Sequence, residues 1–348
     1  MNELLALRQF ARQAWHDGRA LALATVVGVE RSSYRREGAK LLVDEDGVSC
    51  GLVSGGCLED EVVRTAQQVM RDGLPVLQRF DTGDDGLWGL GLGCGGSVEV
   101  LVEALEDTPM WRVWGEGVGS SPLVRTLGLS PDVGLGTHAV ITPTEMFGSL
   151  HCPPSYIDDA WTTRTTQRHY PWLCDVTSNA TRLTVFGAGP DAIPLATMAH
   201  TLGFVVRVVD PRASYLTETA FPTATRHVVQ PSTYTDLGWT SDDCVVVMHH
   251  HFERDLAALQ AVFAADVRYV GQLGPASRRE RLLARLAAEG EVPSESMLSR
   301  FYAPVGLNLL ADGPAEIALS ILSEILAVTR TASAVSLRDN ADSRLVRA

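Results

Sequence analysis

The sequence is poor in positive charge and has almost no lysine. It has 29 lysine and arginine residues against 42 aspartate and glutamate residues, so its formal net charge is −13. A protein of this charge is not expected to bind nucleic acid or an anionic membrane as its main partner. Lys40 is the sole lysine, and it is far in sequence from the glycine loop described below. The Tyr-x-x-x-Lys pair of many dehydrogenases is therefore missing beside that loop.

Long apolar runs and closely paired cysteines are missing as well. The longest apolar runs, such as Leu21–Val27, are much shorter than the roughly 20 residues that cross a bilayer. The N-terminus lacks the basic and apolar segments of a secretory signal, so a cytoplasmic protein without membrane association is expected. None of the six cysteines belongs to a C-x-x-C pair, which argues against a zinc ribbon, and the cytoplasm would keep the thiols reduced.

The length and the hydrophobic pattern predict two folded domains of α/β class. Residues 1–106 predict an N-terminal α+β domain with two glycine–cysteine turns, beginning with a helix over Glu3–His16. The periodicity weakens over residues 107–180, where we expect an irregular extension or a linker. Strands alternate with helices over residues 181–330, which predicts a Rossmann-like, doubly wound parallel sheet. Residues 331–348 are polar and predict a flexible tail.

The segment GAGPDA fits the pattern G-x-G-x-x-A, with Gly187, Gly189 and Ala192 in the motif positions. An apolar strand precedes it and a helix follows, which is the setting in which backbone N–H groups at a helix N-terminus bind a pyrophosphate. Asp210 ends the next strand, where an acidic residue binds a ribose hydroxyl, and Arg212 could instead meet an additional phosphate. NAD(P) is therefore a predicted ligand, and a Rossmann-like fold without a nucleotide is the alternative.

Three consecutive histidines, in the segment MHHH, follow a later apolar strand. The C-terminal end of such a strand is where parallel sheets bind ligands. Neighbouring side chains of an extended chain point in different directions, so three histidine ligands to one metal ion are not predicted. One histidine that faces the crevice is expected instead to donate a hydrogen bond to a phosphate or a substrate.

Two turns in the N-terminal half combine glycine with cysteine. They are Ser54, Gly55, Gly56 and Cys57, followed by Glu59, and Gly93, Cys94, Gly95 and Gly96. Glycine permits positive φ and lets a ligand approach the backbone closely. A helix N-terminus lowers the pKa of a thiol, which favours Cys57 as a reactive sulfur, whereas the acidic residues after it oppose this effect. The alternative is that both cysteines only fill tight turns.

The segments SGGCLE, GLGCGG, GAGPDA, VVVMHHH and PVGLN occur in this order along the chain. Together with their surroundings they resemble the XdhC/CoxI family, and the resemblance covers both halves of the chain. Members of that family are accessory proteins of molybdenum hydroxylases such as xanthine dehydrogenase. The resemblance implies that the chain binds molybdenum cofactor, supports its sulfuration with a cysteine desulfurase, and delivers it to the apoenzyme. It implies a cofactor-binding chaperone more than an enzyme with turnover.

The resemblance also assigns roles to residues. The two glycine–cysteine turns would hold molybdopterin, with or without an added nucleotide, and Cys94 would contact molybdenum. His250 is the one histidine carried over, because the family has Thr-His-Asp where this chain has three histidines. The family has an acidic residue where this chain has Asn308.

Two other functions and one assembly stay open. An NAD(P)-dependent oxidoreductase, or a nucleotide-binding redox protein, fits the glycine loop and Asp210, and substrate-dependent turnover of NAD(P)H would identify it. A persulfide carrier would accept sulfur directly on Cys94. A homodimer is open because symmetric pairs are the commonest oligomers.

Overall fold

The computed structural model describes residues 3–30, 34–81, 96–116, 122–178 and 180–339. The chain divides into two compact units. The N-terminal unit consists of the described residues up to 178 together with the short segment from Ser336, and the C-terminal unit consists of residues 180–335. None of the helices in the described ranges is long and apolar enough to cross a membrane.

The N-terminal unit contains two antiparallel sheets and the helices that cover them. Its helices are α1 (Glu3–His16), α2 (Glu59–Asp72), α3 (Pro109–Glu116) and α4 (Pro154–Thr163). Its strands are β1 (Leu21–Glu30), β2 (Lys40–Asp44), β3 (Ser49–Gly51), β4 (Val76–Asp81), β5 (Ser97–Ala104), β6 (Leu123–Gly128), β7 (Gly136–Ile141), β8 (Met146–Gly148), β9 (Gln167–His169) and β10 (Trp172–Thr177). The strand orders are β3-β2-β1-β5-β4 and β8-β7-β6-β10-β9.

The first sheet is buried on both faces, which explains its nearly continuous apolar strands. The residues of α2 that face the sheet are Val62, Ala66 and Val69, and their helical spacing forms one apolar stripe. On the other face, Leu21 and Leu23 of β1 pack in a cluster with α1 and α3. The predicted bounds of α1 are confirmed.

The expectation of irregular chain over residues 107–180 is wrong in its secondary structure. This segment forms the second sheet, β6 to β10, together with α3 and α4. The periodicity was misleading because polar side chains in these strands point inward: Arg125 of β6 and Asp175 of β10 are fully buried. Charged residues are read as exposed in a hydrophobic pattern, whereas these two charges are paired inside the unit.

A buried ionic network, which we call the Arg125 network, connects the two sheets. The guanidinium of Arg125 donates hydrogen bonds to Glu103 at 2.9 Å, to Thr25 at 2.7 Å and to Asp175 at 3.2 Å. Lys40 donates to the other oxygen of Asp175 at 2.9 Å. Burial lowers the pKa of the Lys40 amine. Burial alone would raise the pKa of Asp175, but Lys40 and Arg125 outweigh it and the pKa is lowered. The sole lysine of the chain is therefore part of the interior.

The C-terminal unit is a six-stranded parallel sheet with helices on both faces, so the predicted α/β class and the Rossmann-like domain are confirmed. Its strands are β11 (Arg182–Phe186), β12 (Val205–Val209), β13 (Thr225–His227), β14 (Asp243–Val247), β15 (Tyr269–Gln272) and β16 (Phe301–Tyr302). Their order in the sheet is β13-β12-β11-β14-β15-β16. Its helices are α5 (Ala192–Thr201), α6 (Phe252–Phe263), α7 (Ala276–Ala288), α8 (Glu295–Leu298) and α9 (Pro314–Thr329).

The order in which successive strands are added to this sheet reverses between β11 and β14, although all the strands are parallel. The connections from β11 run to β12 and β13 on one side, and β14 continues to β15 and β16 on the other. In open parallel sheets, ligands bind in the crevice at the C-terminal ends of the strands where the order reverses. The fold therefore directs attention to the residues that follow β11, β12 and β14.

Candidate functional site

A cavity of about 420 Å³ lies beyond these strand ends, and we call it the C-terminal cavity. Its volume lies within the range of small-molecule sites. Loops after β11, β12 and β14 supply most of its walls, and the start of α9 supplies Pro314. The lining residues are Gly189, Pro190, Asp191, Arg212, Tyr215, His249, His250 and Pro314.

The glycine loop has the close packing that its motif predicts. Gly187 has φ of +110°, and a Cβ placed on it would lie 2.6 Å from the carbonyl oxygen of Met248. Only glycine fits there, because the backbone of the loop touches the backbone that follows β14. Ala192 is buried at the start of α5. Gly189 lines the cavity.

Asp210 is not among the residues that line the cavity, and its carboxylate is bound by protein donors. It is fully buried and accepts hydrogen bonds from the backbone N–H of Ala188 and of Arg212, each at 2.9 Å. The Arg212 side chain adds a two-pronged ion pair at 2.9 and 2.8 Å. Burial raises the pKa of Asp210, but these donors outweigh it and lower the pKa to about 2. A ribose hydroxyl would have to displace one of these donors, so ribose binding by Asp210 stays a prediction.

Arg212 presents the remaining part of its guanidinium to the cavity. Its Nε and Nη2 are held by Asp210, whereas its Nη1 makes no hydrogen bond with the residues that the structure describes. Its guanidinium carbon lies 4.0 Å from the centre of the Tyr215 ring. Arg212 is thus fixed in orientation by two neighbours and keeps one nitrogen for a ligand.

The first two histidines of the MHHH segment point in different directions. His249 is buried: its Nδ1 lies 3.2 Å from Asp255 and its Nε2 lies 3.3 Å from the hydroxyl of Tyr234. His250 is exposed, has φ of 56°, and its Nε2 lies 2.6 Å from Oδ2 of Asp191. Both histidines therefore line the cavity, His250 from an exposed position and His249 from a buried one, and ligand binding by His250 stays a prediction.

Asp191 and Tyr215 line the cavity but are not among the site residues that the sequence predicts. Asp191 lies inside the quoted segment GAGPDA, at the N-cap position of α5, but it makes no cap hydrogen bond. Its carboxylate turns instead toward His250 and lies over Gly189, where Oδ1 would be 2.6 Å from an added Cβ. Tyr215 follows Arg212 by three residues and no motif marks it. A carboxylate inside a phosphate-binding motif was the available signal.

In the N-terminal unit, the turn before α2 is organised by Ser54. Its buried hydroxyl oxygen accepts hydrogen bonds from the backbone N–H groups of Gly56, Cys57 and Leu58, at 3.1 to 3.2 Å. The hydroxyl donates to Glu59 at 2.5 Å, and the backbone N–H of Ser54 donates to the same carboxylate at 2.9 Å. Burial raises the pKa of Glu59, but the hydrogen bonds from Ser54 and the backbone outweigh it, so the pKa is lowered.

This arrangement leaves a cysteine on the surface of a hydrogen-bonded turn. Gly56 has φ of +106°, which favours glycine, and Gly55 is exposed beside it. Cys57 is exposed, and its sulfur lies 3.6 Å from the Ser54 hydroxyl. Ser54 and Glu59 thus hold the turn, while Cys57 is accessible to a ligand or a reagent.

The second glycine–cysteine turn lies mostly outside the described residues. Gly93, Cys94 and Gly95 are not described, and Gly96 is buried just before β5. Contact between Cys94 and molybdenum therefore stays a prediction. Within the described ranges, no group of three or more His, Cys, Asp or Glu side chains could hold a metal ion.

Sequence profiles of known families match both units of the chain. The profile described as the XdhC and CoxI family matches residues 14–81, which include the Ser54 turn. The profile described as the XdhC Rossmann domain matches residues 183–325, which include the C-terminal cavity.

Individual proteins match nearly the whole chain. A protein of Bacillus subtilis (strain 168), named as a probable xanthine dehydrogenase subunit, is 32% identical over 92% of this chain and 96% of its own length. The molybdenum cofactor insertion chaperone PaoD of Escherichia coli (strain K12) is 26% identical over 92% of this chain and 87% of its own length. A crystal structure described as a xanthine dehydrogenase from Bacillus halodurans is 30% identical, with a TM-score of 0.76, and the match covers 99% of this chain and 100% of that one.

Proposed function

The chain belongs to the XdhC and CoxI family, and on that premise we propose that it binds molybdenum cofactor, supports its sulfuration, and delivers it to a xanthine dehydrogenase-like molybdenum hydroxylase. The observation that carries the proposal is the match to a molybdenum cofactor insertion chaperone along 92% of the chain. A match of that length includes both units, so it does not rest on a Rossmann-like fold that serves many functions.

In this proposal the cysteines of the N-terminal unit face the metal end of the cofactor. Soft metals prefer thiolate ligands, so Cys94 is the proposed contact to molybdenum. The glycines beside it, Gly93, Gly95 and Gly96, would keep the approach free of side chains. Cys57 supports the same reading, because its thiol is exposed on a turn that Ser54 holds in place.

Cofactor binding is tested on the purified full-length protein under anaerobic conditions. After incubation with molybdenum cofactor and gel filtration, the wild type is expected to retain molybdenum and pterin in equal amounts. Cys94→Ala is expected to lose most of both. Cys50→Ala is the matched control, since Cys50 is a half-buried cysteine of β3 in the same unit. A wild type that retains neither molybdenum nor pterin contradicts the proposal.

The proposed partners are a cysteine desulfurase and the apoenzyme of the hydroxylase, and the proposed location is the cytoplasm. An accessory protein releases its partner once the cofactor is transferred, whereas an integral component of the enzyme stays with it. Co-elution with the apoenzyme, followed by separation after the enzyme is filled, is therefore expected. Permanent association with the finished enzyme would contradict delivery. Light scattering on the free protein tests the homodimer.

Sulfuration has its own measurement. The protein loaded with cofactor is incubated with the desulfurase and cysteine, and sulfur that cyanide can release is measured on the cofactor. If Cys94 acts instead as a persulfide carrier, mass spectrometry will find the added sulfur on the Cys94 peptide without any cofactor. An unmodified Cys94 peptide together with sulfurated cofactor supports the accessory role.

A second candidate is an NAD(P)-dependent oxidoreductase or a nucleotide-binding redox protein. The close packing of Gly187 against the backbone after β14 favours it, because this is the geometry of dinucleotide-binding loops. Tight NAD(P) binding with substrate-dependent turnover, and no retention of molybdenum cofactor, would establish this candidate in place of the first.

A further inference from the structure

The chemistry of the C-terminal cavity differs from that of a dinucleotide site in two places. The acid expected to bind ribose hydroxyls, Asp210, is buried and paired with Arg212. The position where the pyrophosphate approaches the second glycine is covered by the carboxylate of Asp191. A carboxylate close to a pyrophosphate opposes its binding, because the two carry the same charge.

The same carboxylate suits a ligand edge that donates hydrogen bonds. Oδ2 of Asp191 is paired with His250, and Oδ1 accepts no hydrogen bond from the residues that the structure describes. The Asp191 side chain is only 18% exposed, so its orientation is restricted. Each carboxylate oxygen has two acceptor sites, so Oδ1 and the second site of Oδ2 together can accept two parallel N–H groups from an aminopyrimidinone edge, as found in pterins and guanine.

A second wall of the cavity carries the opposite charge. The Arg212 side chain is 33% exposed, and its Nη1 is not used by the described residues. Arginine recognises phosphate monoesters through charged, directional hydrogen bonds. The Tyr215 ring beside Arg212 and the ring of Pro314 add flat apolar surface for a planar heterocycle.

We propose that the C-terminal cavity binds a pterin that carries a phosphate monoester, with Asp191 accepting from the aminopyrimidinone edge and Arg212 binding the phosphate. The choice of a pterin over a guanine nucleotide rests on the proposed function. In this arrangement Asp191 determines specificity. Its carboxylate favours a ligand edge with N–H donors and, from the same position over Gly189, opposes the binding of a pyrophosphate.

Binding is measured on the full-length protein by equilibrium dialysis with small probes. Neopterin monophosphate tests both ends of the ligand, neopterin lacks the phosphate, and lumazine lacks the 2-amino group. NADP⁺ and GMP are the competing ligands. Neopterin monophosphate is expected to bind about tenfold or more tightly than neopterin, which is the effect of one charged hydrogen-bonding contact. It is expected to bind more tightly than NADP⁺ and GMP.

Two variants assign the ends of the ligand. Asp191→Asn is expected to weaken the binding of neopterin monophosphate by about tenfold or more and to leave the binding of lumazine unchanged. Arg212→Gln keeps an N–H donor for Asp210 and is expected to abolish the difference between neopterin monophosphate and neopterin. Arg330→Gln, an exposed arginine of the same unit outside the cavity lining, is the control and is expected to change neither. Circular dichroism spectra check that each variant is folded.

The opposite result for Asp191 overturns the proposal. If Asp191→Asn strengthens the binding of NADP⁺ and leaves the binding of neopterin monophosphate unchanged, the only role of Asp191 is to obstruct a dinucleotide-binding site. Wild-type protein that binds no neopterin monophosphate, or binds GMP more tightly, also overturns it.

Retention of molybdenum cofactor on gel filtration separates the two proposals. If retention is normal in Asp191→Asn and Arg212→Gln, the accessory function stands and this cavity assignment fails. If the wild type binds neopterin monophosphate but retains no cofactor, the accessory function fails and the cavity assignment stands.

Discussion

Two arginines, one in each unit, show how the same side chain serves two purposes. Arg125 of the N-terminal unit is fully buried, and all three of its side-chain nitrogens donate to Glu103, Thr25 or Asp175. Arg212 of the C-terminal unit is one-third exposed and directs two nitrogens to Asp210. Its third nitrogen has no partner within the described chain. The first arginine has no capacity left for a ligand, whereas the second has.

The difference follows from the cost of burying a charge. A fully buried charge is tolerated only when every donor is satisfied, and removing one partner leaves another charge unpaired. A partly exposed arginine that rests on a single carboxylate avoids that penalty and stays oriented for an incoming anion. The Arg125 network should therefore determine stability, and the surroundings of Arg212 should determine binding.

The largest expected effect is on stability, and it tests the contribution of the buried Arg125 network. Arg125→Met keeps most of the side-chain volume but leaves Glu103 and Asp175 without their shared partner. We expect the free energy of unfolding to fall by about 3–5 kcal/mol. Arg64→Met, which removes an exposed pair with Glu61, is the control and should leave the free energy of unfolding nearly unchanged. The measurement is urea denaturation, and equal effects of the two substitutions would contradict the comparison.

A smaller effect is expected where backbone packing supports the C-terminal cavity. Gly187→Ala would place a Cβ 2.6 Å from a backbone oxygen at φ of +110°, so we expect a loss of about 2–3 kcal/mol. Gly73→Ala also has positive φ, but nothing lies within 4 Å of the added atom, so about 1 kcal/mol is expected. Thermal unfolding of both variants measures the contrast. If Gly187→Ala costs no more than Gly73→Ala, the close backbone contact is not a constraint.

The salt bridge beneath Arg212 predicts a dependence of stability on pH. Asp210 has a folded-state pKa of about 2, below its ordinary value of 3.8, so it contributes stability above that ordinary value. The contribution, about 2 kcal/mol, is lost as the pH falls toward 2. Asp210→Asn should therefore show a flatter dependence of unfolding free energy on pH in this window than the wild type. Asp236→Asn, an exposed carboxylate of the same unit, should follow the wild type.

The smallest effect concerns the turn that presents Cys57. Ser54→Ala removes the acceptor of three backbone N–H groups before α2, and about 1 kcal/mol of stability should be lost. The reaction of Cys57 with a thiol reagent should become faster, because the turn is less restrained. Ser49→Ala, on the exposed side of β3, serves as the control. An unchanged rate and stability would show that Ser54 does not hold the turn.

The motifs predicted local structure well where their cause is local. The helix at Glu3–His16 follows from apolar spacing, and the packing at Gly187 follows from the requirement for a residue without Cβ. The sequence also predicts the glycine loop and the strand that leads to Asp210. Each of these depends on a few adjacent residues and on backbone geometry.

The missed features depend on side-chain contacts that the sequence pattern does not encode. Arg125 and Asp175 are 50 residues apart, so a search for hydrophobic periodicity cannot detect their burial as a pair. Arg212 pairs with Asp210, and Asp191 lies over Gly189, across only two residues each, but both contacts depend on side-chain conformations that a motif does not specify. For the same reason, the pattern that predicts a dinucleotide carries no information on the charges around the glycine loop, and NAD(P) binding stays a prediction.

Transfer of cofactor tests the accessory function most directly. The protein is loaded with molybdenum cofactor, freed of excess by gel filtration, and mixed anaerobically with the apoenzyme of a xanthine dehydrogenase-like hydroxylase. The proposed function predicts that molybdenum and pterin move together to the apoenzyme and that hydroxylase activity appears faster than with an equal amount of free cofactor. Molybdenum that stays with this protein, or activation no faster than by free cofactor, would contradict it.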